Sequence, residues 1–431
     1  MPLPDTIRNA ANSPRLPAVA AIVAIIIVIA AAAWFGLFTA LVHSRWLWPV
    51  VIIVAALIAL AVIVWGIPWF REWRFVHGES SQFPVAGGES PQEFQNRFVS
   101  ALRRFRSLPQ NAGKGDSLYA LPWYVMIGSE RSGKTALLGA SGLFSPLTSV
   151  AAEGGTQNCD WWVSNGALVL DTAGRYATQA DQSRDRAEWY RLLHLVRHYR
   201  GREPLNGIVV AIAADGLVAG PDEKLRIDGG KIRERVEEAI QQLGGNFPLY
   251  VIVAKCDLIE GFAEFFGLLP ERVFHQAVGF VDDPPAGSGA PPRGAEAMHR
   301  FQSGLHSVYE RLNLFRLSIL NGKIAEAMTQ PVFCFPEELR ALERPLATFV
   351  APLLSEDVRY HTPLFRGLFL TSAQQSGAPF STLRRQLDIA ATEAPAEGKG
   401  RRDYFLHDLF EIILPRDRTL GAIVTPGGAR P

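Results

Sequence analysis

The sequence predicts an α/β protein: a mainly parallel sheet covered by helices on both faces, with a helical insertion, preceded by a two-helix transmembrane hairpin. Three observations carry this expectation. Two charge-free apolar stretches lie near the N-terminus, unbroken apolar runs later alternate with helical patterns, and a glycine-flanked turn, "GSERSGKT", sits between one such run and a helix.

Composition narrows the field. The 431 residues hold two or three folding units, each able to bury its own core. With 43 basic against 42 acidic side chains there is no global charge to bind nucleic acid. Cys159, Cys256 and Cys334 are far apart and odd in number, with neither metal spacing nor a disulfide framework, which suits a reducing compartment.

Pro17 to Val42 and Leu47 to Phe70 lack charged side chains, and each exceeds the roughly 20 apolar residues that cross a bilayer. Only "HSRW" separates them, so the spans form an antiparallel hairpin with both ends on one side. Tryptophans 34, 46, 48, 65 and 69 include several at interfacial levels. Arg8 and Arg15 before the hairpin and Arg71 and Arg74 after it, against Arg45 alone between, place both ends in the cytoplasm.

After the hairpin, "SPQEFQNRFVSALRRFRSL" reads as a helix. Ser90 is its N-cap, Pro91 its first residue and Glu93 the partner of a capping box; Phe94, Phe98, Leu102 and Phe105 form the apolar face. From Leu121, "LPWYVMI", "DWWVS", "ALVLD", "GIVVAIA", "LYVIVA" and "PVFCF" read as strands. Arg184–Arg200, Pro221–Leu243 and Ala295–Thr329 read as helices, the last inside an insertion between the fifth and sixth strands. Expected boundaries are a tail (1–16), the hairpin (17–70), a helical linker (71–117), a nucleotide-binding domain (118–375) and a helical extension (376–431).

The turn after "WYVMI" has the G-x-x-x-x-G-K-[ST] spacing of a phosphate-binding loop. Gly128 and Gly133 let the backbone turn and approach closely. Ser129, Arg131 and Ser132 complete the loop, whose N–H groups and following helix end would face phosphate oxygens. Lys134 would reach the terminal phosphates, and the Thr135 hydroxyl would ligate Mg²⁺. "ALVLDTAG" follows, its strand delivering Asp171 to the Mg²⁺ side while Gly174 offers an N–H to a terminal phosphate. In "VIVAKCD", Lys255 would stack on a purine and Asp257 accept hydrogen bonds from its edge. Three motifs in this order describe a P-loop GTPase-like sheet. His194 and His198, at i,i+4 spacing, lack a glutamate between them or a visible third ligand, so they read as helix surface or packing.

"GSERSGKTALL", "GGTQNCDWWVS", "LVLDTAGRYATQ", "VIVAKCDLIEGFAEFF", "FRGLFLTSAQQSGAP" and "YFLHDLFEIILPRDRTL" together resemble the IcmF/TssM family of type VI secretion systems. The resemblance spans nearly the whole chain, with the hairpin in the family's place. It implies an oligomeric protein of the bacterial inner membrane with a cytoplasmic GTP- or ATP-binding domain. Its implied partners are other inner-membrane secretion proteins (TssL-like), the baseplate and the lipid bilayer. Matched by position, Gly128, Gly133, Lys134, Thr135, Asp171, Gly174, Lys255 and Asp257 are the site residues. Thr156, in "GGTQN", falls where a switch threonine completes the Mg²⁺ shell; Thr148 and Ser149 are further hydroxyls of that loop.

The departures bear on activity. Family members continue into another span and a periplasmic region, whereas this sequence stops at "GAIVTPGGARP". Ala254 stands where guanine-specific proteins carry asparagine, and no glutamine follows Gly174. Hydrolysis requires positioning, charge neutralisation and an oriented water. Lys134, the loop amides and Mg²⁺ supply the first two, and Arg175 is either a transition-state cation or a structural one. Two expectations therefore stand: a slow nucleoside triphosphatase, or a scaffold with a vestigial site.

Overall fold

Side chains on successive strand residues point to opposite faces, and here both faces are apolar, so the chain must cover both. The computed structural model describes residues 90–423 except 110, 112–116, 149–155, 180, 284–293, 322–328, 357–362, 374–378, 389–402 and 421. The tail, the hairpin at 17–70 and the linker up to 89 lie outside the described residues. Among the described residues no helix is long and apolar enough to cross a membrane.

Helix α1 (Pro91–Arg106) starts with the expected capping box: Glu93 N donates to Ser90 Oγ at 3.2 Å, and Ser90 N to Glu93 Oε2 at 2.7 Å. Its Phe94, Phe98, Leu102 and Phe105 are buried. Next come β1 (Trp123–Ile127), α2 (Lys134–Ala140), β2 (Ser145–Pro146), β3 (Cys159–Val163) and β4 (Leu168–Thr172). Helices α3 (Gly174–Thr178) and α4 (Gln182–Tyr199) lead to β5 (Gly207–Ala213). Helices α5 (Ala214–Val218) and α6 (Asp222–Leu243) precede β6 (Gly245–Asn246) and β7 (Pro248–Ala254). Then follow α7 (Phe262–Phe266), β8 (Val278–Val281), α8 (Gly294–Leu320), α9 (Gln330–Ala341), α10 (Glu343–Leu354) and β9 (Leu364–Leu370). A short helix α11 (Thr382–Gln386), a π-turn at Leu409–Ile413 and β10 (Ala422–Ile423) finish the described chain.

The main sheet has eight strands in the order β2-β3-β4-β1-β5-β7-β9-β8. Five central strands are parallel, and β2, β3 and β8 run antiparallel to their neighbours. After β1 the chain runs to the edge at β2 and returns inward through β3 to β4 beside β1, then crosses to β5 on the other side, leaving a topological switch point at the carboxyl end of β1. Trp123, Val125 and Ile127 pack with α1, α4 and α6. Tyr124 and Met126 face the other way, onto Leu137 and Leu138 of α2 and onto Leu409, Phe410 and Leu414.

One expected strand is corrected. "PVFCF" is not the sixth strand but the first turns of α9: Pro331 occupies the opening helical turn, and Val332, Phe335 and Leu339 are buried at helical spacing. The strand that closes the parallel set is β9, "LFRGLFL", where Arg366 interrupts the apolar run yet is itself buried. The expected Ala295–Thr329 helix spans Gly294–Leu320, and the insertion between β7 and β9 also carries the edge strand β8.

Candidate functional site

β1 delivers the chain into Gly128, where only glycine fits: a Cβ there would lie 2.3 Å from the Ala211 carbonyl oxygen of β5. The turn continues through left-handed Arg131 (φ 59°) and Gly133 (φ 89°), which together curl the loop around the start of α2. Ser129 and Arg131 are exposed at the lip, and Ser132 is buried. Lys134 is 6% exposed, and its Nζ donates to Gly128 O at 2.7 Å, Ser129 O at 3.0 Å and Ser132 Oγ at 3.3 Å. Burial lowers the Lys134 pKa, against the opposing pull of the Asp171 and Glu130 carboxylates.

The parallel pairing of β1 with β4 sets Asp171 beside Met126, close to the loop. Thr135 Oγ1 donates to Asp171 Oδ2 at 2.6 Å and Thr156 Oγ1 to the same oxygen at 3.0 Å, the two hydroxyls lying 3.2 Å apart. Asp171 is 0% exposed, and its Oδ1 has no hydrogen-bond partner among the described residues. Burial raises its pKa, with Lys134 and the two threonines opposing the shift. Such an arrangement, a buried carboxylate oxygen left over beside two hydroxyls, has spare capacity for a hard cation.

Gly174 opens α3 against the loop; a Cβ at that position would meet Glu130 N at 2.4 Å. The adjacent Arg175 donates to Asp185 Oδ1 at 2.8 Å, Glu188 Oε2 at 2.5 Å and Gln157 O at 2.7 Å, and also to Asn158. Its guanidinium therefore ties the segment after Thr156 to α3 and α4. Those hydrogen bonds raise its pKa in spite of burial, the largest single influence and an opposing one.

At the end of β7, Lys255 is left-handed (φ 57°) and lies 3.4 Å from Asp215 of α5. Asp257 accepts a hydrogen bond from Ser372, which follows β9, and burial raises its pKa. Cys256 N donates to Thr371 O at 3.1 Å, so the ends of β7 and β9 hold this loop jointly. Ala254 is fully buried in the apolar cluster of the α2 face.

The structure thus brings Lys134, Thr135, Thr156 and Asp171 together, and sets Lys255 and Asp257 along the same carboxyl edge of the sheet. Two residues escaped sequence reasoning. Ser372 had a visible signal, "TSA" at the end of an apolar run, but its role depends on β9 lying beside β7. Asp160 pairs directly across the β3–β4 ladder with Asp171 and is 6% exposed; its signal was a lone aspartate inside an apolar strand.

The IcmF-related N-terminal domain matches residues 182–425, more than half of the chain. The chain belongs to the IcmF/TssM family. A relative from Pseudomonas aeruginosa, the type VI secretion system component TssM1, is 33% identical over 350 residues, covering 78% of this chain and 31% of that protein. This chain accordingly spans about a third of that relative's length. Among solved structures, a GDP-bound mutant of S. thermophilus NFeoB is 13% identical, covering 55% of this chain and all of that one, with a TM-score of 0.22. A variant of SsGBP is also 13% identical, covering 39% and 49%, with a TM-score of 0.21.

Proposed function

We propose that this chain is a TssM-like component of a type VI secretion membrane complex that binds a purine nucleoside triphosphate with Mg²⁺ through a P-loop GTPase-like site. The observation that carries this reading is the meeting of Lys134, Thr135, Thr156 and the half-satisfied Asp171 at the sheet's switch point. Gly128, Ser129, Arg131, Ser132 and Gly133 form the cradle, and Lys134 exchanges its loop carbonyls for phosphate oxygens. Thr135, Thr156 and Asp171 fit a hard divalent cation, which supplies charge neutralisation when bound. Lys255, Asp257 and Ser372 form the base end. Gly174 presents its N–H towards the terminal phosphate.

Arg175 acts in this reading as a positioning residue, since its guanidinium is already held by two carboxylates. Hydrolysis is slow in the isolated chain and faster in the assembled complex. The 17–70 hairpin anchors the protein in the inner membrane with the nucleotide domain in the cytoplasm. TssL-like inner-membrane proteins, further copies of the chain and the baseplate are its partners.

A second reading, a scaffold of the same complex with a vestigial site, draws on Ala254, whose methyl group offers the phosphate loop no hydrogen bond. Lys134→Ala in the secreting cell separates the two. Loss of both nucleotide binding and secretion supports the switch; loss of binding with secretion retained makes the protein a scaffold.

A further inference from the structure

The Asp171 edge has a second acid. On the antiparallel β3–β4 ladder Asp160 stands directly opposite Asp171, and both carboxylates are buried, 6% and 0% exposed. Burial raises the pKa of both carboxyls; the Asp160 charge adds to the shift at Asp171, while Arg97 opposes it at Asp160. Asp160 is attached to the same hydroxyl-bearing loop: Thr148 Oγ1 donates to its Oδ1 at 3.1 Å. Thr156 of that loop donates to Asp171. Lys134 spends its donors on Gly128, Ser129 and Ser132, and the cation that acts on Asp160 is Arg97 of α1. Asp171 Oδ1 is buried and has no hydrogen-bond partner among the described residues.

A structure that only needed to grip a nucleotide-borne cation would manage with one carboxylate. Two buried acids paired across one ladder, with a carboxylate oxygen to spare, form a donor set for a hard cation on its own account. We propose that Asp160 is a second carboxylate of the cation site, and that with Asp171 it takes up a divalent cation before any nucleotide arrives. This rests on reading the Asp171 edge as a cation site, and adds an order of events and a residue that the phosphate loop motif does not contain.

The test uses the full chain in detergent micelles, without nucleotide. Thermal unfolding is followed in EDTA and then in Mg²⁺ or Mn²⁺, and Mn²⁺ binding is titrated by electron paramagnetic resonance. Wild type should show one saturable Mn²⁺ site displaced by Mg²⁺, and a higher melting temperature with either cation. Asp160→Asn should lose the cation-induced rise and bind Mn²⁺ at least about tenfold more weakly, a modest loss for one charge removed from a partly desolvated site.

A purely structural Asp160 predicts that Asp160→Asn keeps the cation-induced rise and binds Mn²⁺ like wild type. Either result overturns the proposal, as does a wild type with no Mn²⁺ site. If Asp160→Asn does not fold, Asp160→Ser, neutral and still an acceptor, is read by the same criteria. A triphosphate titration of wild type keeps the two claims apart. Saturation by Mg²⁺-triphosphate without cation binding alone sinks this inference and spares the nucleotide reading; cation binding without nucleotide saturation does the reverse.

Discussion

At the amino-terminal edge of the sheet, Arg200 is 0% exposed and donates to the carbonyl oxygens of Leu118, Pro204 and Leu121 and to the Asn206 side chain. Close by, Asp417 accepts from Tyr250 at 2.9 Å and from two nitrogens of Arg366. At the carboxyl-terminal edge, Asp171 is as deeply buried as Arg200, yet one of its oxygens has no partner among the described residues. Burial shifts both, pushing the Arg200 pKa down to about 10 and the Asp171 pKa up. The difference lies in satisfaction. A buried polar group whose bonds are all made within the protein holds the fold; one left short, beside hydroxyls and a lysine, carries a cost in stability that a ligand would offset.

The first way to break this comparison is at the satisfied edge. Asp417→Ala leaves the Arg366 guanidinium buried without its main acceptor, and should cost about 3 kcal/mol or more in urea unfolding. Nucleotide affinity per folded molecule should stay unchanged; a parallel loss would mean that the two edges are not separable.

At the other edge, Lys134→Ala removes a buried cation whose bonds to phosphate oxygens would each be worth about 1.5–3 kcal/mol. Triphosphate affinity should fall roughly a hundredfold if two such bonds are lost. Calorimetry on the full chain reads this directly, and an unchanged affinity would remove the phosphate-loop assignment.

Gly174→Ala sits between the edges in expected size. Its Cβ would meet Glu130 backbone at 2.4 Å, so loop or helix must move, costing about 1–3 kcal/mol of stability. Because Gly174 abuts the phosphate loop, triphosphate binding should suffer more than diphosphate binding. Ser372→Ala is the smallest change: Asp257 loses one donor, worth about 1 kcal/mol, and base affinity should weaken a few fold with Mn²⁺ binding untouched.

How much of this could be read from the sequence depended on distance along the chain. β1, β4, β5 and β7 were legible because buried parallel strands are continuous apolar runs bounded by turn residues. The glycine-flanked turn before Lys134 and the turn at "DTAG" were legible because each is local. β9 was hidden by Arg366, a charge in the middle of a strand that becomes intelligible only with Asp417 beside it. "PVFCF" misled because a short apolar run has no decisive period, and the proline at its start was the better guide. Ser372 and Asp160 reach their partners only through strand pairing: Ser372 is far along the chain from Asp257, and Asp160 meets Asp171 across a hairpin.

The central claim is that the carboxyl edge is left short for a ligand. Urea unfolding of Asp171→Asn, compared with wild type in EDTA and in Mg²⁺ with triphosphate, tests it most directly. In EDTA the variant should be the more stable by about 1–2 kcal/mol, since a neutral amide is cheaper to bury than a half-satisfied carboxylate. In Mg²⁺ with triphosphate wild type should overtake it, because only wild type gains stability from ligand. A variant less stable than wild type in EDTA, with no response to ligand in either protein, would contradict the account.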